Sequence, residues 1–388
     1  MTAQSPTLRW QAYHLPRTLH PGAWWVWALG LAVAASRTTN PLLLALILAV
    51  ACTVVIARRG DAPWALAFRL YLYVGAFIVI MRVLFRIVLG GNTGGTILFT
   101  LPTIPLPDWM AGIRLLGAVS AESVLGGFYD GLRLATMIVC IGAANALANP
   151  KRLLKTVPSA LYDVGSAIVV ALSVFPQLAE SVQRVRRARR LRGGSGKGVK
   201  ALRGIIVPVL EDALDRSLLL ASAMDSRGYG RSAQLPRGTR ALAGACTLLG
   251  LIGVCVGVYG VLDGTAPGAL GLPMLAVGLL LAAGGFVLTG RRVRRSRYRP
   301  DPWRLAESLV AGSGVAVGLL LYVLLSVDPT NLHPSLYPLS WPQAELPAVL
   351  AILVGALPAV LAPPTPLTVE EIRAASPRHA PELVEAGR

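Results

Sequence analysis

The sequence predicts an all-α polytopic membrane protein of about eight transmembrane helices, with a cytoplasmic insertion of long amphipathic helices. Hydrophobic residues make up 54% of the 388 positions and charged residues only 14%, whereas soluble proteins average about 45–50% apolar and about 25% charged residues. The apolar residues also form long runs, and a helix needs roughly 20 such residues to cross a bilayer. The predicted spans are Ala23–Ala35, Leu42–Ala57, Trp64–Leu89, Gly126–Ala148, Ala241–Leu262, Leu270–Leu288, Ser308–Val327 and Leu346–Leu361.

The residues at the ends of the early spans suit a membrane interface. Three tryptophans lie within Trp24–Trp27, and aromatic residues of this kind are enriched in interfacial belts. A long polar and mixed segment precedes this first run, so it is predicted to be a span rather than a removable signal peptide. Arg58–Arg59 ends the second span. Arg82 and Arg86 lie towards the outer end of the third, where long side chains can reach the interface or face neighbouring helices.

The placement of basic residues sets the predicted orientation, because cytoplasmic segments are rich in Lys and Arg. With the N-terminus inside, Arg58–Arg59, Lys151–Arg240 and Arg291–Arg299 all lie inside, and the long segment 90–125 lies outside. Both termini are then cytoplasmic, and the protein is predicted in the plasma (inner) membrane. The same placement accounts for the net charge of +18 without a nucleic-acid partner.

The predicted organisation has four parts. Residues 1–149 contain spans one to four, 150–239 form the cytoplasmic insertion, 240–363 contain spans five to eight, and 364–388 are a cytoplasmic tail. The run Ala160–Pro176 is apolar enough to pass for another span. Basic residues flank both of its ends, so it is predicted to lie along the inner membrane face or to dip into it.

The insertion contains two helical patterns. In the first, apolar residues follow one face from Leu178 to Leu191, while the opposite face is nearly all arginine. In the second, apolar residues from Leu210 to Met224 recur at spacings of three and four. Glu211 lies near the start of that pattern, where the helix dipole favours an acidic side chain. Each predicted helix reaches ~30 Å or more.

Both helices end in an arginine followed by a glycine. One explanation is local, because glycine forms left-handed C-caps and arginine complements the negative end of the helix dipole. The other is a docking function, since a guanidinium at a helix tip can enter a partner's groove and pair bidentately with a carboxylate. The candidate docking residues are Leu191, Arg192, Gly193, Ser226, Arg227 and Gly228.

The sequence predicts no catalytic residues, no cofactor-binding residues and no metal ligands. "GGSGKG" (Gly193–Gly198) is similar to a phosphate-binding loop, but Lys197 is followed by Gly198 instead of Ser or Thr, and no apolar strand precedes it. It is therefore predicted to be a linker. All four cysteines lie inside apolar runs, where a free cysteine packs as a small hydrophobic residue. The four histidines include no pair at the spacing of metal ligands.

Five fragments, taken in order, carry a family resemblance. "LHPGAWWVWALGLAV" and "SRTTNPLLLALILAV" are similar to a family's first two spans, and Gly131–Leu161 is similar to its fourth span and the passage into its cytoplasmic domain. "FPQLAESVQRVRRARRLRG" and "LDRSLLLASAMDSRGYG" are similar to its two coupling helices. From about Leu15 to Arg240 the chain resembles the transmembrane (T) component of energy-coupling factor (ECF) transporters, the CbiQ/EcfT family.

The resemblance implies a function and a set of partners. In this family each coupling helix ends in an Ala-Arg-Gly type motif, and here Leu191 and Ser226 replace the alanines. The arginine-tipped helices dock into grooves on a pair of cytoplasmic ABC-type ATPases, and their apolar faces hold a separate substrate-binding membrane (S) subunit. The chain is then expected to be the non-catalytic coupling subunit of an ATP-driven importer for a vitamin or a transition metal such as cobalt.

Two other functions are alternatives to this expectation. A self-contained secondary transporter needs ionisable residues near mid-membrane and broken helices in corresponding halves, but the spans are almost free of acids. "DGLRLA" (Asp130–Ala135) resembles the start of the aspartate motif of membrane phosphotransferases, but the further aspartates are missing at the expected spacing. The sequence leaves open whether the helices after residue 262 are scaffold, docking surface or a lineage-specific addition.

Overall fold

A computed structural model describes residues 17–60, 68–88, 95–102, 104–105, 114–155, 162–193, 199–228, 237–262, 267–290 and 301–364. Helices dominate these ranges, which confirms the all-α polytopic class. Several sequence predictions lie outside the described residues: the start of the third span, the linker after Gly193, the basic run Arg291–Arg299 and the C-terminal tail from residue 365 onward.

The described residues form helices and four short strands. The helices are α1 Pro21–Ser36, α2 Pro41–Arg58, α3 Phe68–Val88, α4 Ala121–Leu147, α5 Pro150–Lys155, α6 Tyr162–Leu191, α7 Val199–Ser226, α8 Arg237–Leu262, α9 Leu272–Gly290, α10 Leu305–Val327, α11 Pro329–Leu332, α12 Leu346–Leu353 and α13 Pro358–Leu361. Two 3₁₀ turns are Gly268–Leu270 and Val354–Ala356. The four strands are β1 Ile97–Thr100, β2 Ile104–Pro105, β3 Arg114–Leu115 and β4 Ala118–Ser120.

Within the described ranges, 7 helices are long and apolar enough to cross a bilayer. Six of them match predicted spans two to seven. The remaining one is Val164–Leu191 within α6, the region predicted to lie along the inner face; its length and composition are also sufficient for a span. The predicted first and eighth spans form shorter apolar helices, α1 with 16 residues and the segment Leu346–Leu361.

Local sequence explains where the early helices begin. The Nδ1 atom of His20 accepts a hydrogen bond from the backbone N–H of Gly22 and caps α1. The side chain of Asn40 caps α2 in the same way by accepting from Leu42. A proline follows each cap at the first helical position, where the missing N–H costs nothing and the fixed φ suits a helix.

The segment between α3 and α4, predicted as a long outer loop, contains two short antiparallel pairings. β1 pairs with β4, and β2 pairs with β3. The side chain of Glu122 supports this region by accepting hydrogen bonds from the backbone N–H and the hydroxyl of Thr96. The strands are too short to change the fold class.

The chain divides into two compact units. The first unit comprises the residues up to Leu153 and from Asp301 onward, and the second unit comprises Leu154–Pro300. In the first unit α1 packs against both α4 and α10, and α4 also contacts α2 and α3. A helix that comes more than 250 residues after α1 therefore completes the core of the early helices.

The indole of Trp27 shows how closely the late residues join this core. Trp27 is completely buried, and its Nε1–H donates a 2.9 Å hydrogen bond to the carbonyl oxygen of Gly355. A buried indole needs such an acceptor, because an unpaired N–H in an apolar environment is costly. α10 and the described residues after it, up to 364, thus pack as part of the first unit.

The second unit contains two helix pairs. α6 contacts α7, and α8 contacts α9 along an extensive interface. Gly250, Gly257 and Gly278 lie in the second interface so close to the backbone of the opposite helix that a Cβ atom at any of them would overlap with it. Small residues allow this approach between membrane helices, where packing rather than the hydrophobic effect drives association.

Candidate functional site

The candidate site is built on α6 and α7, the two helices whose ends carry the Arg-Gly pairs. α6 has 30 residues and continues through Pro176, and α7 has 28 residues and continues through Pro208. At 1.5 Å per residue they are about 45 Å and 42 Å long. Both agree with the length of ~30 Å or more expected from the sequence.

α6 and α7 run antiparallel. The guanidinium of Arg216 on α7 donates to the Oε1 atom of Gln177 on α6 at 3.3 Å. One helical turn away, Ser181 hydrogen-bonds to the carboxylate of Asp212. Farther along, the guanidinium of Arg189 lies 3.2 Å from the position that a Cβ atom on Gly204 would occupy. Along these three contacts the residue numbers increase on α6 and decrease on α7, so the two helices run in opposite directions.

The Ser181–Asp212 contact changes the acidity of that carboxyl group. The hydrogen bond from Ser181 lowers the pKa of Asp212, and the hydrogen bond and charge of Arg216 lower it further. The group is therefore ionised at neutral pH and can hold its bond to α6. Arg216 lies four residues after Asp212 on the same helix and donates to it at 3.1 Å, the favourable spacing for a helical ion pair.

Both helices end in a glycine cap, as the sequence predicted. Gly193 has φ +74° and Gly228 has φ +71°, the left-handed conformation that glycine adopts without strain. The N–H of Gly193 donates to the carbonyl oxygen of Arg190, and that of Gly228 donates to Asp225. These bonds satisfy carbonyl groups that a helix end otherwise leaves unpaired.

All six candidate docking residues are exposed. The relative accessibility of Leu191 is 90%. Within each triplet the residues are neighbours in sequence, but the fold does not bring the two triplets together. Because α6 and α7 run antiparallel, Arg192 and Arg227 lie at opposite ends of the pair, roughly 40 Å apart along α7. The structure thus presents two separate tips instead of one composite site.

The surfaces between the tips differ in character. The C-terminal half of α6 exposes arginines, including Arg186, Arg187 and Arg190. α7 exposes an apolar stripe at four-residue spacing, and its members are 43–68% accessible. The stripe consists of Leu202, Ile206, Leu210, Leu214 and Leu218. Neither surface is covered within the described parts of the second unit, so both are available to partners or lipid.

Sequence reasoning missed the polar contacts that set the direction of the helix pair. Gln177 and Ser181 are four residues apart on α6, and so are Asp212 and Arg216 on α7. Matching polar pairs at this spacing on consecutive amphipathic helices were a readable signal for a pairing face. Among the described residues, no group of three or more His, Cys, Asp or Glu side chains could hold a metal ion.

The chain matches known proteins over the part that contains this site. A family model described as cobalt transport protein (CbiQ) matches residues 14–236, more than half of the chain. The chain is 31% identical over 97 residues to the energy-coupling factor transporter transmembrane protein EcfT of Leuconostoc gelidum subsp. gasicomitatum, a match that covers 24% of this chain and 36% of the relative. It is 24% identical over 165 residues to the protein of the same name from Streptococcus thermophilus, covering 39% and 58%. The matches therefore span between about a third and somewhat more than half of these relatives.

Proposed function

The chain belongs to the CbiQ cobalt transport protein family, and from this premise we propose that it is the transmembrane coupling subunit of an ECF-type ABC importer. It transmits ATP-driven motion from a pair of cytoplasmic ATPases to a separate S subunit, for uptake of a vitamin or a transition metal. The chain itself is non-catalytic, and its partners hydrolyse ATP. Two relatives that carry the name of an energy-coupling factor transporter protein support this proposal.

The position of the two Arg-Gly tips carries the proposal. A pair of ATPases offers two equivalent docking grooves, and one antiparallel helix pair with a tip at each end can reach both. Arg192 and Arg227 are exposed at these ends, and each is followed by a glycine with no neighbouring atom within 4 Å of the position a Cβ would take. A partner surface can therefore approach each guanidinium closely.

The exposed apolar stripe of α7 suits the second partner. Leu210, Leu214 and Leu218 are 55%, 62% and 68% accessible, and a protein in water rarely leaves such a row uncovered. In the proposed assembly the S subunit packs on this stripe. Motion of α6 and α7 is then passed directly to the subunit that holds the substrate.

The proposed topology follows from the basic flanks. α6 and α7 lie on the cytoplasmic side, both termini are cytoplasmic, and the protein resides in the plasma (inner) membrane. The arginines of α6, from Arg184 to Arg190, then face the anionic headgroups of the inner leaflet, each attracted to the leaflet by about 1 kcal/mol.

Co-purification tests the proposal. Tagged full-length protein is extracted from its native membrane in mild detergent, and the proteins that accompany it are identified by mass spectrometry. We expect one or two kinds of ABC-type ATPase and a small membrane protein with the wild type. The double variant Arg192→Glu/Arg227→Glu should lose the ATPases, because two docking cations become anions, and should keep its own fold, because both side chains are exposed.

A matched control separates the tips from the general positive charge. Arg186→Glu/Arg187→Glu reverses the same number of exposed charges on α6 but leaves both tips intact, so it should retain the ATPases. Equal recovery of ATPases with the tip variant contradicts the docking of these residues. A wild-type chain that is isolated without any ATPase contradicts the proposed function as a whole.

A further inference from the structure

Three segments of the first unit meet at the residues that flank the second unit in sequence. Arg152 lies on α5, just before the chain passes into residues 154–300, and Asp301 is the first residue after them. Thr18 belongs to the segment that leads into α1. The contact between these side chains therefore joins the two ends of a 147-residue insertion (154 to 300, inclusive).

The contact between Arg152 and Asp301 is bidentate. The Nε atom of Arg152 donates to Oδ2 of Asp301 at 3.0 Å, and Nη2 lies 2.9 Å from Oδ1. The remaining nitrogen, Nη1, donates to the hydroxyl of Thr18. All three guanidinium nitrogens are thus engaged, and the two parallel bonds fix the angle between the segments as well as their distance.

Neighbouring contacts hold the returning segment in place. The indole of Trp303 lies 5.3 Å from the imidazole of His20, measured between ring centroids, and its Nε1–H donates to the hydroxyl of Ser308. Glu307 is completely buried and forms a bidentate pair with Arg17 at 2.7 and 3.1 Å. Asp301 is therefore attached to an anchored part of the first unit, and through it Arg152 is anchored as well.

We propose that Arg152 and Asp301 are positioning residues for coupling: they hold both ends of the insertion together so that motion of α6 and α7 reaches the first unit. This inference rests on the proposed function. Without the pair, the two residues that flank the insertion lose the contact that fixes their distance and angle. With the pair, Arg152 and Asp301 stay together, so a displacement of the insertion acts on both of them at once and moves the first unit with it.

The chemistry of the pair suits this role. The contact is partly accessible, with 20% of the Arg152 side chain and 31% of the Asp301 side chain exposed, so it does not complete a buried core. Lysine could supply the charge of Arg152 but not the two parallel hydrogen bonds, because an ammonium group is a point charge. Comparing arginine with lysine at position 152 therefore separates the effect of the bidentate geometry from the effect of the charge.

The test uses the complete complex with its ATPases in lipid nanodiscs. The four native cysteines are replaced, and spin labels are attached at Ser222→Cys on α7 and Gly60→Cys after α2, both exposed positions. The ATP-dependent change in the distance between the labels and the rate of ATP hydrolysis are then measured on the same sample. In Asp301→Asn we expect hydrolysis within twofold of the wild type, while the ATP-dependent distance change at least doubles, because α7 then moves without carrying the first unit with it.

Two further variants and a control make the outcome specific. The swap Arg152→Asp/Asp301→Arg should return the distance change to the wild-type value, and Arg152→Lys should give a value between those of the wild type and Asp301→Asn. Asp130→Asn removes the acid of another accessible ion pair in the first unit, with Arg86, and should leave the ratio of movement to hydrolysis unchanged.

The inference is overturned if the ATP-dependent distance change of Asp301→Asn equals that of the wild type. It is also overturned if Asp301→Asn loses hydrolysis, movement and thermal stability in parallel, since that pattern means a purely structural role. A wild-type complex that lacks ATPases overturns the proposed function itself, which is a different and separately visible result.

Discussion

Gly30 and Gly314 bring the backbones of α1 and α10 into direct contact. A Cβ atom on Gly30 would overlap with the carbonyl group of Gly314, and a Cβ atom on Gly314 would overlap with the backbone of Trp27. Glycine is required at this crossing because any side chain would push the two helices apart. The contact lies beside the buried Trp27 indole, so separation of the helices would also disturb the hydrogen bond to Gly355.

Substitution at this crossing should destabilise the first unit. We expect Gly314→Ala to lower the free energy of unfolding by about 1–3 kcal/mol, the usual range for overpacking, because the surrounding atoms are backbone and cannot yield. Denaturant titration in detergent micelles measures this change. Gly312→Ala is the control, since no atom lies within 4 Å of its Cβ position; it should be neutral or stabilising by up to about 1 kcal/mol. Equal effects of the two substitutions would contradict the crossing.

The pair Arg17–Glu307 should contribute more to stability than an accessible ion pair. The side chain of Glu307 is 1% accessible, so Arg17→Met leaves a buried carboxylate without its counter-charge. The expected loss in the free energy of unfolding is about 3–5 kcal/mol. Arg216→Met breaks the accessible pair with Asp212, at 36% and 32% exposure, together with the hydrogen bond to Gln177, and should cost much less, because accessible ion pairs contribute little to stability. The same denaturant titration applies, and a small loss for Arg17→Met would mean that water reaches Glu307.

The sequence could predict those features that depend on local pattern. Six of the seven long apolar helices coincide with predicted spans, because hydrophobic runs determine them directly. The glycine caps at Gly193 and Gly228 were also predictable, since helix ends have a chemical signature. Contacts between distant segments were not predictable. Gly30 with Gly314 and Arg152 with Asp301 are separated by 284 and 149 positions, and one sequence gives no information on which distant residues meet.

His333 should make the stability of the segment after α10 depend on pH. This residue follows α11, and burial lowers its pKa below the ordinary value of 6.5, with a smaller effect of the nearby charge of Arg133. The folded state therefore binds the proton less readily than the unfolded state does. Stability should be fully present above pH 6.5 and decline as the pH falls from there through the lowered pKa.

Thermal unfolding between pH 7.5 and 5 tests this titration. We expect the midpoint of the wild type to fall over this range and His333→Gln to show a smaller decrease, because glutamine does not titrate. Other groups contribute equally to both proteins, so the difference between the two curves reports on His333 alone. Parallel curves would mean that His333 has the same pKa in the folded and unfolded states.

We expect Gly228 to have two roles: it caps the C-terminal end of α7, and it lets a partner approach closely. Two substitutions can separate these roles. Alanine at φ +71° is strained by about 1–2 kcal/mol, so Gly228→Ala should increase hydrogen exchange at the end of α7 and also reduce ATPase recovery. Asparagine tolerates the left-handed conformation, and its side chain meets no atom of this chain, because the space around the Cβ position is open. Gly228→Asn should therefore restore slow exchange but still impair ATPase recovery, since its side chain occupies the space that a docking groove needs. Full recovery of ATPases with Gly228→Asn would leave the glycine with a capping role alone and would place the docking contact on Arg227.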